Sequence, residues 1–131
     1  MLNLLFIFLG GGIASILRYL TNISLKKITI LNSYNSIIPT LTVNIIGSFI
    51  IGLVYSLFMN KTNIPDYIKL AISVGFCGGL TTFSTFSLEG YQLIKEGEPF
   101  QALFYIILSV TTCFISVAIG IQLGNQLTKL I

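Results

Sequence analysis

The sequence predicts an all-α integral membrane protein: one domain of four transmembrane helices, the third of them broken. Three observations carry that reading. Of 131 residues, 54% are hydrophobic and only 8% charged, against roughly 25% charged in soluble domains. The apolar residues gather into four runs joined by short polar connectors, and each run is near the ~20 residues a helical crossing needs. Only the third run is interrupted, by G-F-C-G-G-L-T-T-F-S-T-F over positions 75–86.

The same composition narrows the function. There is no His, and Cys77 and Cys113 both sit in apolar runs, which supports neither a His/Cys metal cluster nor a disulfide framework. A net charge of +3 without a basic run argues against nucleic acid as a partner. No nucleotide motif or nucleophile–base pair is present, so the chain is not expected to be an enzyme or an ATP-driven pump.

The first span is expected over about 2–23. Its apolar start, Leu4 to Leu17, lacks the positive n-region and A-x-A-like site of a signal peptide, so it is expected to remain as a helix. Gly10, Ala14 and Arg18 share one face, which suits close helix packing. Arg18 lies toward a membrane end, where it can snorkel to headgroups or attract anions at a vestibule mouth; both readings stand.

The second span, about 38–59, follows a connector running from Lys26-Lys27 to Asn35-Ser36. Thr40, Asn44, Ser48, Gly52 and Ser56 recur at i, i+4 and form one narrow stripe. Helix packing accounts for Ser48, Gly52 and Ser56. A carboxamide near mid-helix needs a hydrogen-bonding partner at membrane depth, so Asn44 is expected at a pore or ligand.

The third span, about 67–94, is expected to break near 78–82, where three glycines loosen it and two threonines and a serine follow. Irregular backbone in a bilayer survives only when buried in protein or lining a wet path, so the break is expected to handle an ion. Freed carbonyls such as those of Gly78 and Thr81 suit a small hard cation, and a helix restarting near Thr82 points its positive end into the break. Phe83 and Phe86 follow at one-turn spacing, offering ring edges that are electropositive toward an anion; Ser84, between them, is placed on the same path. Glu89 is the one acidic residue well inside a span. It can serve as a proton-coupled carboxylate, a cation ligand or a group in a wet vestibule.

The fourth span, about 100–127, carries Tyr105, Ser109, Thr112 and Ser116 on one face. Hydroxyls there either back-bond to their own helix or form a track of donors for a hydrated anion.

Charge counting bears on orientation. Lys61, Lys69 and Lys129 fall on one side, and Lys26, Lys27 and Lys95 on the other, with Arg18 added if counted. The Lys/Arg bias that orients helical membrane proteins nearly vanishes. An antiparallel homodimer and a single weakly specified orientation both remain open on this count.

The motif G-F-C-G-G-L-T-T-F-S-T-F resembles that of the Fluc (CrcB-type) fluoride channel family. So do Asn44-Ile45-Ile46-Gly47-Ser48-Phe49 in the second span and Gly10-Gly11-Gly12 followed by Arg18-Tyr19 in the first. The resemblance covers essentially the whole chain and is most specific in the third span. It implies a multi-pass protein of the cell inner (plasma) membrane, exporting fluoride passively and lowering its toxicity. It further implies an antiparallel, dual-topology homodimer with two pores and a central structural Na+. By resemblance, Phe83, Phe86 and Asn44 line the fluoride path, Gly78 and Thr81 hold sodium through their carbonyls, and Tyr105 and Ser109 belong to a polar track. The next track position falls on Cys113, a poorer donor, which the adjacent Thr112 can replace. Thr40 and Glu89 match polar positions near the pore.

The alternative is a small four-helix proton-coupled multidrug exporter. That mechanism calls for a carboxylate in the first span and usually for Trp, and this chain has neither. A non-transporting assembly subunit would explain the small-residue stripes and leave the Thr-Thr-Phe-Ser-Thr-Phe break without a purpose.

Overall fold

The computed structural model describes residues 1–28, 37–60 and 64–130. The connector residues Asn35 and Ser36, and Lys61 of the charge count, lie outside them. Four helical spans are long and apolar enough to cross a membrane: Leu2–Lys26, Ile37–Met59, Asp66–Lys95 and Pro99–Leu130. The first, second and fourth are the unbroken helices α1 (Leu2–Ile28), α2 (Ile37–Asn60) and α6 (Pro99–Leu130). The third is composite: α3 (Asp66–Leu70), a π-helical stretch over Ala71–Cys77, α4 (Gly78–Leu80) and α5 (Phe83–Lys95).

Two close-packed helix pairs build the molecule. Without a hydrophobic drive between helices in lipid, small residues that let backbones touch supply much of the association. Along α1, Gly10 lies against the Ala71 carbonyl, and a methyl added at Gly75 would stand 2.7 Å from the Ile7 carbonyl oxygen. Along α2 and α6, Gly52 lies against the Val117 carbonyl and Gly120 against that of Phe49. Where the pairs meet, Ala14, Val43 and Leu80 form one buried cluster, and Ile37, Phe86, Leu93, Ala102 and Tyr105 another. Large apolar side chains such as Phe8, Ile16, Phe104 and Phe114 cover the exterior, as a surface solvated by lipid requires.

The third span breaks in a different way from the sequence expectation. Gly75, Gly78 and Gly79 do not unwind the chain; all three are helical, and Gly75 and Gly79 serve close approach to α1. The unwound residues are Thr81 (φ −81, ψ 154) and Thr82 (φ −148, ψ 112), both extended. Thr82 caps α5, its Oγ1 accepting from the Thr85 N–H at 3.3 Å, the arrangement that satisfies a helix start. The wide π-turns before the break had no sequence signal. There the Ser73 hydroxyl donates to the Lys69 carbonyl at 2.6 Å.

A tight turn joins α5 to α6. Gly97 adopts φ 85, and the Glu98 N–H returns to the Leu93 carbonyl at 2.9 Å, closing the helix end in the left-handed manner that favours glycine.

Candidate functional site

The break sits between two cavities. The larger, about 460 Å³, is lined from α2 by Asn44, Gly47 and Ser48, from the third span by Ser73, Cys77, Gly78, Thr81, Thr82, Phe83 and Phe86, and from α6 by Ser109, Cys113 and Phe114, among others. None of its lining residues is charged. The smaller, about 220 Å³, is lined by Ser15, Arg18, Tyr19, Asn22, Thr40, Thr82 and Thr85 with Pro39 and Val43. Thr82 contributes to both.

Side chains from two other helices hold the break open. The Asn44 carboxamide grips Thr82 at both ends of its backbone: Oδ1 accepts the Thr82 N–H at 2.8 Å, and Nδ2 donates to the Thr82 carbonyl at 3.4 Å. Arg18 Nη1 donates to the Thr81 carbonyl at 3.4 Å. These contacts have a consequence for the carbonyls. In an unbroken helix the Gly78 carbonyl would take the Thr82 N–H, and the Thr81 carbonyl the Thr85 N–H. Here the first donor goes to Asn44 and the second to the Thr82 hydroxyl. Gly78 and Thr81 are thereby left with carbonyl lone pairs unused by the helix, and both residues line the larger cavity. Such neutral oxygen donors suit a hard monovalent or divalent cation.

Phe83 and Phe86 pack together with ring centroids 5.5 Å apart and planes tilted by 45°. Their surroundings differ sharply. Phe86 is 9% exposed and rests on the Tyr105 ring, whereas Phe83 is 78% exposed at the cavity mouth. Ser84 points out of the fold beside the Thr82 hydroxyl, at 3.3 Å, and lines neither cavity.

Thr40, Glu89 and Tyr105, spread over three helices, meet in one buried cluster. The Glu89 carboxyl group accepts from the Thr40 hydroxyl at 2.8 Å and from the Tyr105 phenol at 2.8 Å. This contact places Tyr105 off the larger cavity and commits its donor to Glu89. Ser109, one turn on, is buried, lines the cavity and has no hydrogen-bond partner of good geometry among the described residues.

Thr112 does not continue the α6 track. Its hydroxyl donates to the Leu108 carbonyl of its own helix at 2.7 Å, the usual fate of an intrahelical threonine, and Cys113 takes the cavity position. Ser48 and Ser73 were not expected at the site, yet both line it. Both had a signal: Ser48 continues the Thr40–Asn44 stripe, and Ser73 stands four residues before Cys77 and eight before Thr81, which line the same cavity. Ser56, at the end of that stripe, donates to Asn125 Oδ1 at 2.7 Å and ties α2 to α6.

The family model described as "CrcB-like protein, Camphor Resistance (CrcB)" matches residues 5–121. The chain is 50% identical over 110 residues to a protein of Yersinia pseudotuberculosis named fluoride-specific ion channel FluC 1, covering 82% of each. It is 46% identical over 126 residues to a fluoride-specific ion channel FluC of Gloeothece citriformis, covering 96% of this chain and 99% of the relative. A third FluC, of Phocaeicola vulgatus, is 44% identical over 125 residues, covering 95% of this chain and 100% of the relative.

Proposed function

Because the chain belongs to the CrcB family, that of the FluC fluoride-specific ion channels, we propose that it is a passive channel exporting fluoride across the cell's inner membrane. The observation that carries this reading is the larger cavity: neutral donors and aromatic rings converge beside a helix break, and no charged side chain lines it. Fluoride is small and holds its water tightly, so a path must replace water by hydrogen bonds at each step. It must also release the ion, because conduction requires exit as well as entry. Ser109 and the second N–H of Asn44 supply donors, and the edges of Phe83 and Phe86 supply weak positive potential. A buried Lys or Arg would bind too well to let go. Arg18 stands instead at the smaller cavity, where its charge gathers anions before they are desolvated.

The working unit in this reading is an antiparallel, dual-topology homodimer with two pores. Two features of the single chain support it. Phe83 projects from the cavity mouth without cover, and Gly78 is exposed, with nothing within 4 Å of the methyl it lacks. A second copy seated over the break would cover both. The Gly78 and Thr81 carbonyls of the two copies would then hold a structural Na+, which would supply a fixed positive charge at the dimer centre. The proton-coupled exporter finds no carboxylate on α1, and Glu89 is already bonded to Thr40 and Tyr105.

Purified protein in liposomes with an outward fluoride gradient tests the reading. Electrogenic fluoride efflux without chloride efflux is expected; its absence from well-folded protein refutes the channel. In the same assay Phe83→Ile is expected to slow efflux by about twofold to tenfold, since one ring interaction lost is worth roughly 0.5–1.5 kcal/mol and each 1.4 kcal/mol is about tenfold, before any change in cavity shape. An unchanged rate removes Phe83 from the path. For topology, Lys129→Cys in a background lacking Cys77 and Cys113 is expected to react with a membrane-impermeant thiol reagent in part from each side of the membrane. Reaction wholly from one side contradicts dual insertion.

A further inference from the structure

We infer that Arg18 sets the affinity of the cation site at the break and couples it to an anion held in the smaller cavity, an inference that rests on the sodium reading above. The Thr81 carbonyl stands between the two. Thr81 lines the larger cavity, and its carbonyl accepts from Arg18 Nη1 at 3.4 Å. A carbonyl oxygen has two lone pairs, so the guanidinium contact leaves one for a cation. Arg18 is half-buried, and among the described residues no carboxylate lies within ion-pair distance of it. Arg18 also lines the smaller cavity together with the hydroxyl-bearing residues Ser15, Thr40, Thr82 and Thr85.

A full positive charge this close to the shared oxygen, in surroundings that screen weakly, opposes a second cation there. An anion beside the guanidinium cancels part of that opposition. Cation and anion therefore favour each other's binding through Arg18, and linkage makes the effect reciprocal. Arg18 acts in this as a positioning and charge-setting residue, through the Thr81 carbonyl.

The test reads cation affinity by thermal unfolding of the purified protein. Sodium is titrated against N-methylglucamine at constant ionic strength, with and without fluoride. For wild type, fluoride is expected to lower the half-saturating sodium concentration several-fold. Arg18→Gln is expected to lower it about tenfold without fluoride and to abolish the fluoride effect, within the usual range of coupling between sites. Arg18→Lys, which keeps the charge, is expected to stay within about threefold of wild type and to keep the fluoride effect. Loss of packing alone would change the melting temperature at zero sodium without moving the midpoint. An Arg18→Gln midpoint equal to that of wild type overturns the inference, as does a wild-type midpoint indifferent to fluoride, an arm that needs no variant to fold. Wild-type protein indifferent to sodium overturns the cation reading and this inference together.

Discussion

Asn44→Ala is expected to lower fluoride efflux by about thirtyfold or more while the protein still folds. Among the described residues, the carboxamide is the only side chain that bonds both the N–H and the carbonyl of Thr82. Removing it leaves two backbone groups at membrane depth without their partner, at about 1–3 kcal/mol each, and each 1.4 kcal/mol is worth about tenfold in population of the conducting geometry. With its donor freed, the Thr82 N–H can return to the Gly78 carbonyl and regularise the helix, closing the break. Asn44→Asp separates the clamp from the pore. It keeps an oxygen for the Thr82 N–H and so should melt nearer to wild type, yet it sets a carboxyl group on an anion's path and should conduct no better than the alanine variant. Efflux and melting of both variants, measured side by side, check this. An alanine variant within about threefold of wild-type efflux would show that the break stands without its clamp.

Gly120→Ala is expected to have the largest effect on folding of any Gly→Ala change in the chain. The new Cβ would overlap the Phe49 carbonyl oxygen and stand 2.8 Å from the Leu53 nitrogen. Both obstacles are backbone, so no side chain can rotate away. The α2–α6 seam must separate, weakening the reciprocal fit of Gly52 on Val117 and the Ser56–Asn125 hydrogen bond. Overpacking of this kind costs about 1–3 kcal/mol and sometimes more. Gly12→Ala is the control, because its added methyl meets nothing within 4 Å; it should leave melting temperature and yield unchanged. Equal melting of the two variants would refute the seam as a determinant of stability.

Much of this arrangement was legible in the sequence, and the reasons are specific. Long apolar runs with few charges dictate helical crossings because a bilayer leaves the backbone no other partner. The stripe from Thr40 to Ser56 was readable because α2 keeps a regular turn, so residues four apart share a face. The third span was readable as a break, but its mechanics were not. Glycine spacing suggested loosening, whereas the glycines lie helical against α1 and the unwinding falls on two threonines. On α6, counting by turns places Ser109 on the cavity, and the choice between Thr112 and Cys113 depends on the Thr112 hydroxyl bonding to its own helix.

The sequence by itself determined the four crossings and that the third crossing is interrupted between Gly75 and Phe86, because these follow from composition and local spacing; the family followed from the resemblance of its motifs to those of known channels. Tertiary structure decided which backbone groups that interruption frees. Asn44 takes the Thr82 N–H and Thr82 itself takes the Thr85 N–H, so the Gly78 and Thr81 carbonyls are released. Arg18 approaches one of them from a helix far away in the chain. It decided equally that Glu89 is enclosed by Thr40 and Tyr105. Apart from the local Thr82 cap, each of these outcomes is a hydrogen bond between residues distant in sequence. Its partner is set by how helices pack, and no periodicity within one helix encodes it.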